Sequence, residues 1–400
     1  MDERRHLAVL DGLRGLAILL VMLPHLAIAN AFPGPSWAAD AAFRFAHGVE
    51  IFFVLSGFCL AYPIMVQLHT HGEASLSLTN FFFNRVWRIV PLYLLATAFT
   101  IVIAATLVHG NGRAIVAVPP NAWSAIAPLF LLDRGVDFAN PTFWSVPVQV
   151  RWYLAFPLLM KLWLRAPRLF VTLTVLAWLA YLATRVRTID GGVVPLFMLG
   201  IIAADLFVRR DRRTRWALLL LVPSLALGLA GDHVAWVPNP HGRDEYWTAQ
   251  PTTIGWQLSA FFLILTATTT PWVGRLFTFA PLRILGIASF SLYLTHEAVI
   301  AAIVSDPVPA AGVVALAACL AVGLLAFALL ERPLTDRMLR RRLRDLVVPR
   351  LEPLFTALAV PATTWFQSQR YGAPDPVDEG SALRRKLAPL PASSPERRAG

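Results

Sequence analysis

The feature that most constrains this chain is a series of uninterrupted apolar stretches, each near the length of a bilayer crossing. A helix needs roughly 20 mostly apolar residues to cross ~30 Å of hydrocarbon. Such stretches recur near residues 10–30, 48–68, 86–108, 143–164, 169–184, 193–208, 214–230, 252–270, 284–304 and 310–330. Their side chains are apolar in succession rather than in alternation. That excludes barrel strands and leaves helices, which satisfy every backbone N–H and C=O inside lipid. Composition closes the soluble alternatives: 57% of residues are hydrophobic and 15% charged, where a soluble globule carries about 25% charge. The expected fold is all-α, a polytopic transmembrane helical bundle of about ten spans.

The formal charge of +11 invites a nucleic-acid reading, which the placement of the arginines removes. Basic residues gather in cytoplasmic loops. With the N-terminus inside, the inner side receives Arg4, Arg5, Arg85, Arg88, Lys161, Arg165, Arg168, the cluster from Arg209 to Arg215, Arg275 and Arg283. The outer side keeps Arg44, Arg113, Arg134, Arg185, Arg187 and Arg243. An even number of spans returns the basic tail after Arg332 to the same inner side, so both termini are expected in the cytoplasm, facing anionic lipid heads. Arg4, Arg5 and the small residues Ala27 to Ala29 resemble a secretory signal. Asp11 and Arg14 interrupt it and nine further stretches follow, which favours a retained span. The transmembrane unit is placed at 1–345, an amphipathic interfacial helix within 346–372 (Leu351 to Gln367), and a disordered, Pro- and charge-rich cytoplasmic tail at 373–400. Of 35 basic side chains only Lys161 and Lys386 are lysines, an arginine bias that suggests a bacterial genome and thus a multi-pass protein of the bacterial cytoplasmic membrane. Cys59 and Cys319 lie inside apolar runs, with the spacing of neither a disulfide framework nor a metal site; no metal is expected. No internal repeat signals an inverted-repeat transporter.

Ionisable side chains inside apolar spans cost roughly 2.5–3.5 kcal/mol each on insertion scales, so each invites a functional reading. The first stretch holds Asp11, Arg14 and His25. Eleven residues at about 100° each bring Arg14 and His25 to within about 20° of one face, roughly 16 Å apart along the axis. Arg14 then lies near the inner surface and His25 in the outer half. The same spacing also fits an arginine snorkelling beside Asp11 and a histidine bonded to a neighbouring carbonyl. Glu50, about one turn below the outer surface, is expected near the depth of His25, where a carboxylate would fix its tautomer and raise its basicity; an interfacial glutamate facing water is the plainer reading. Trp144, Ser145, Gln149 and Arg151 enter from the outer side on the fourth stretch, and His296 and Glu297 lie past the midplane on the ninth. Arg151 needs a partner, with Glu50 and Glu297 as candidates. Arg85 and Arg88, one turn apart at the inner end of the third stretch, suit a polyanion such as nucleotide phosphates, or simple anchoring at the inner surface.

Several of these segments together resemble the acyltransferase family 3 of polytopic membrane proteins, which transfer acyl groups to sugars and other hydroxyl acceptors. They are LDGLRGLAILLVMLPH (Leu10 to His25), GVEIFFVLSGF (Gly48 to Phe58), FFFNRVWRIVPLY (Phe81 to Tyr93), FWSVPVQVRWYLAFPLL (Phe143 to Leu159), LGIASFSLYLTHEAV (Leu285 to Val299) and ERPLTDRMLR (Glu331 to Arg340). The resemblance implies ten helices, a cytoplasmic acyl-CoA donor and an acceptor reached from the outer side. It also implies that Arg14 and His25 are the essential pair, Glu50 the acidic residue before Phe-Phe, and Arg85 and Arg88 the basic pair opening the third span. The chain departs from the pattern at Gln149, where a glutamate is usual, and at Arg151, where a neutral residue is common.

The expected activity is transfer of an acyl group, acetyl foremost, from acyl-CoA to a hydroxyl of a sugar, glycan or glycolipid. His25 is the expected general base, oriented by Glu50, with Arg14, Arg85 and Arg88 on the donor phosphates. Trp144, Gln149, Arg151, Tyr153 and His296 are candidates for acceptor binding or for stabilising the oxyanion. Acyl-CoA enters as co-substrate and no cofactor is expected to stay bound. Transport or flipping of a glycan or lipid competes with this reading on composition, as does a binding-only relative in which Gln149 has replaced a working glutamate.

Overall fold

The computed structural model describes residues 3–29, 31–107, 139–184, 189–235, 251–304, 311–357 and 363–367, with isolated positions 116, 118, 121 and 123. Helices dominate: α1 (Glu3–Ile28), α2 (Ser36–Arg44), α3 (Gly48–His71), α4 (Leu78–Thr106), α5 (Ser145–Arg165), α6 (Pro167–Thr184), α7 (Ile189–Val208), α8 (Ala217–Ala235), α9 (Pro251–Thr269), α10 (Pro271–Leu276), α11 (Ala280–Ile287), α12 (Ser289–Val304), α13 (Ala311–Ala326) and α14 (Arg337–Ala357). The ten apolar stretches fall on helices, the ninth on two of them, α11 and α12. Among the described residues five helical segments are long and apolar enough to cross a membrane, or six if α11 and α12, bent by 78° at their junction, form one broken span. Shorter apolar helices at 167–183, 192–208 and 253–269 accompany them. The chain is a membrane-embedded, multi-pass helical protein.

The helix ends follow local chemistry. Gly72, at φ 76°, closes α3 in the left-handed conformation and donates its N–H to the Leu68 carbonyl. Ser77 then caps α4 by accepting from the Asn80 N–H. Between them β1 (Glu73–Ser77) pairs antiparallel with β2 (Thr363–Gln367). The C-terminal helix therefore differs from expectation. It spans Arg337–Ala357, capped by the Asp336 carboxylate, and residues expected to prolong a later helix form β2 instead. The tail at 373–400 lies outside the described residues.

Two apolar clusters fill the interior. One joins α3, α5, α7 and α9; the other joins α1, α4, α12 and α13. Val49, Phe52 and Tyr153 pack against both and mark the seam. Small residues set the closest approaches, as lipid-embedded packing favours. Gly57 and Gly200 meet where α3 crosses α7, and a Cβ on either would collide with the other helix's backbone. Gly15 and Gly286 do the same where α1 meets α11. This second contact sets the register of the site, because α1 and α12 then ascend side by side from it. Lipid-facing surfaces are visible in exposed residues such as Leu94, Val102, Leu176, Leu219 and Leu329, whereas α12 is buried from Ser289 to Ala301 except at Phe290.

Candidate active site

Ten residues beyond the Gly15–Gly286 contact on each chain segment, across the bend from α11 into α12, His25 and His296 come into contact. Their rings stack with centroids 5.0 Å apart, and His25 Nδ1 lies 2.8 Å from His296 Nε2. His296 is wholly buried and its Nδ1 faces two carbonyl oxygens, Tyr293 at 2.8 Å and Leu292 at 3.1 Å. Glu297, 1% exposed, turns Oε2 toward both rings, 3.5 Å from His25 Nδ1 and 3.7 Å from His296 Nε2. The His25 side chain keeps about a quarter of its surface open (26%). One turn below His296, the Tyr293 hydroxyl meets Ser145 Oγ at 2.8 Å and donates to the Thr142 carbonyl. The start of α5 is thereby tied to the helix that carries the second histidine.

Glu50 is not where the sequence placed it. Its Oε1 lies 2.8 Å from Nδ1 of His47, one turn back on the same chain segment, and His47 stacks on Trp256 at 4.3 Å. No hydrogen bond or ion pair joins Glu50 to His25 among the described residues. Helix register is the cause. Gly48 packs against the Ala17 carbonyl, so α3 begins alongside the middle of α1, and His25 lies eight residues, about 12 Å, farther along. The carboxylate beside His25 is Glu297, which the sequence offered only as a partner for Arg151.

The remaining candidates fall into three groups. Arg14 reaches down from α1: Nη1 stands 3.5 Å from Asp11 and Nη2 donates to Cys59 Sγ at 3.3 Å. The expected Asp11 contact is present, and Cys59 belongs to it. Arg85 and Arg88 part ways. The Arg85 guanidinium lies between the Phe81 and Tyr153 rings, 5.5 and 5.4 Å from their centroids. Arg88 instead lines a cavity of about 250 Å³ with Asn84, Trp87, Glu331, Arg332 and Arg340. Gln149 accepts a hydrogen bond from Ser56 at 3.2 Å and leaves its amide nitrogen buried without a partner. Trp144 and Tyr153 pack on the larger apolar cluster, and Arg151 is half-buried on α5.

Sequence reading missed Glu331. A π-helical turn, Phe327–Glu331, follows α13 and aims this buried carboxylate at the start of α12. There it accepts from the Ser291 N–H at 3.2 Å and from Ser291 Oγ at 2.6 Å. A negative charge at a helix N-terminus meets unsatisfied N–H groups and the positive end of the dipole. Such π turns often mark functional places. Glu331 thus anchors the helix that presents His296, five residues or about 7.5 Å onward, while also lining the arginine cavity. The sequence signal was the Glu-Arg-Pro at residues 331–333 after a long apolar run.

Outside the spans, Asp336 is the clearest perturbed group. Backbone N–H groups of Leu339 and Met338 hold its carboxyl below the ordinary aspartate range.

The chain is 26% identical over 186 residues to the peptidoglycan O-acetyltransferase OatA of Listeria monocytogenes, a match covering 43% of this chain and 28% of that protein. It is 26% identical over 168 residues to the O-acetyltransferase OatA of Staphylococcus aureus (strain NCTC 8325 / PS 47), covering 40% and 25% respectively. The aligned region is thus only about a quarter of the length of these relatives. No solved structure matches the chain. The family model described as "Acyltransferase domain" matches residues 7–332. That range takes in Arg14, His25, His296, Arg88 and Glu331, and it covers most of the chain, which therefore belongs to this acyltransferase family.

Proposed function

We propose that the protein is a membrane O-acyltransferase that moves an acetyl group from acetyl-CoA to a hydroxyl of a cell-envelope glycan. The observation that carries this reading is His25: a partly open imidazole, held at Nδ1 by buried neighbours, on the same helix as Arg14 and the inner end of the bundle. Acyl transfer to an alcohol needs a base near the acceptor, a bound donor and charge stabilisation at the carbonyl oxygen. The inner cavity suits the donor. Arg88, Arg332 and Arg340 line one wall around a volume of about 250 Å³, and arginine forks match phosphate oxygens. The glycan acceptor is inferred from the peptidoglycan acetylation for which the Listeria relative is named and from the position of His25 toward the other end of α1.

Topologically, the reading sets both termini and the arginine cavity on the cytoplasmic side of a bacterial membrane with ten crossings. The side-by-side ascent of α1 and α12 fits this, since the first and ninth of ten spans run in the same direction. Arg14, fixed by Asp11 and Cys59, stands between cavity and base, where a thioester arm would pass. Acyl-CoA acts as substrate and no bound cofactor is invoked.

The test is release of CoA from labelled acetyl-CoA by the purified full chain in lipid nanodiscs, with an N-acetylglucosamine oligomer as acceptor. Labelled acceptor and stoichiometric CoA are expected, with loss of about 10²–10⁴-fold in His25→Ala. A wild-type chain that releases no CoA but moves a labelled glycan across the bilayer would replace the enzyme by a transporter.

A further inference from the structure

We infer that His296 is a positioning residue that fixes the tautomer of His25, so that the base lone pair sits on His25 Nε2, and that Glu297 stabilises the imidazolium formed there. This rests on the acyl-transfer reading and assigns parts to two residues within it. The argument begins at His296 Nδ1. Its two neighbours, the carbonyls of Tyr293 and Leu292, can only accept, so Nδ1 carries a proton. The ring is 0% exposed, and a second proton would place a cation out of water at high cost. Nε2 is therefore a lone pair. At 2.8 Å from it, His25 Nδ1 must be the donor. The remaining lone pair of His25 then lies on Nε2, which has no hydrogen-bond partner among the described residues.

Proton and electron pairs balance in this arrangement. The acceptor hydroxyl gives its proton to His25 Nε2 as its oxygen bonds to the thioester carbonyl carbon. The C–S bond breaks when the tetrahedral adduct collapses. The departing thiolate takes the proton from Nε2, leaving CoA thiol, the ester and a neutral base. Between those steps the His25 imidazolium has His296 Nε2 as acceptor at Nδ1, with Glu297 Oε2 at 3.5 Å. That oxygen is buried and has no hydrogen-bond partner at rest, so it is available for the charge that appears in the reaction.

The same three side chains offer atoms close enough to hold a metal ion, and one distance decides between the two uses. Two imidazole nitrogens at about 2.0–2.1 Å from a tetrahedral zinc would stand ~3.3 Å apart. The observed 2.8 Å is a hydrogen-bond length. The other titratable groups around the pair come from the surrounding helices. Tyr293 has its hydroxyl engaged by Ser145 and Thr142, Cys319 on α13 donates to the His296 carbonyl, and Tyr93 on α4 lies in the same apolar cluster.

The experiment measures kcat, both KM values and the pH dependence of kcat/KM in nanodiscs, with acetyl-CoA and an N-acetylglucosamine oligomer. His296→Leu is expected to lower kcat about 100-fold or more, as loss of a tautomer-fixing partner does elsewhere, with both KM values within twofold. His296→Gln, whose amide oxygen accepts from His25 Nδ1, is expected to regain at least tenfold of that loss. Glu297→Gln is expected to lower kcat and to move the rising limb of the profile to lower pH, because the imidazolium loses its counter-charge. The inference is overturned if His296→Leu keeps kcat within twofold while His25→Ala is silent, an outcome that leaves His25 as base. It is also overturned if Gln restores nothing over Leu, if the limb stays in place in Glu297→Gln, or if the active protein holds one zinc per chain whose removal abolishes transfer. Activity in His25→Ala would instead remove the acyl-transfer reading of the site itself.

Discussion

Among the described residues imidazole meets carboxylate at two places, and they differ in how each is built. His47 and Glu50 are three residues apart, meet directly at 2.8 Å, and are covered by the Trp256 ring. His25 and Glu297 come from α1 and α12, stand 3.5 Å apart, and share a second imidazole that takes the hydrogen bond. The local pair, its ring face laid on Trp256, clasps the start of α3 against α9. Each pair keeps a buried carboxylate oxygen without a hydrogen bond, Oε2 of Glu50 and Oε2 of Glu297, and the distant pair adds a second, wholly buried imidazole. Proximity in sequence produced the tighter contact, and proximity through the fold produced the one proposed to carry the chemistry.

The sharpest way to break this comparison is to delete each imidazole in turn. His25→Ala is expected to lower CoA release by about 10²–10⁴-fold, whereas His47→Ala is expected to stay within about tenfold. Equal losses, measured as kcat in nanodiscs at matched protein levels, would erase the distinction. Next in size is the donor cavity. Arg88→Glu reverses a charge on its wall and is expected to raise the acetyl-CoA KM about tenfold or more, since a charge-assisted phosphate contact is roughly twice as strong as a neutral hydrogen bond, with kcat little changed. An unchanged KM would make Arg88 an anchor of α4.

The clasp itself predicts a stability effect. His47→Leu leaves the buried Glu50 carboxylate without its hydrogen bond, a loss of about 1–3 kcal/mol, to be read as a lower thermal midpoint in detergent. The smallest expected effect is at Asp336, a carboxylate with a purely local duty. Its folded-state pKa is lowered by backbone N–H groups, so its stabilisation is present above the ordinary aspartate range and fades as pH falls through the lower folded value. Asp336→Asn is expected to flatten the acid side of the stability profile slightly and leave kcat alone.

Much of this arrangement can be read from residue order. The apolar stretches fall on helices, the ninth on two, and the eleven-residue step from Arg14 to His25 puts both on one stripe of α1. Positive charge on Arg85 and Arg88 pointed to the inner end. What could not be read was the vertical offset between helices. Glu50 appeared level with His25 because each was counted from an assumed membrane surface, yet Gly48 packs at Ala17 and lowers α3 along α1. The partnership of His25 with His296 depends on Gly15 and Gly286 letting two backbones touch, a contact between segments remote in sequence. Arg88 and Arg85, neighbours on one face, diverge because Phe81 and Tyr153 draw one guanidinium inward. Glu331 was hidden because a π turn changes the phase of the helix that bears it, and no periodic count follows that change.

His25 and His296 are separated by 271 residues, and this has a consequence for biogenesis. A ribosome delivers the first histidine to the translocon long before the second exists, so α1 must wait in lipid with an unmet polar ring. The proposed centre is completed only when α12 arrives, 271 residues after the first histidine. Truncations that spare every early helix should therefore yield inserted but inert protein, and two separately translated fragments divided between these histidines should recover turnover once they associate.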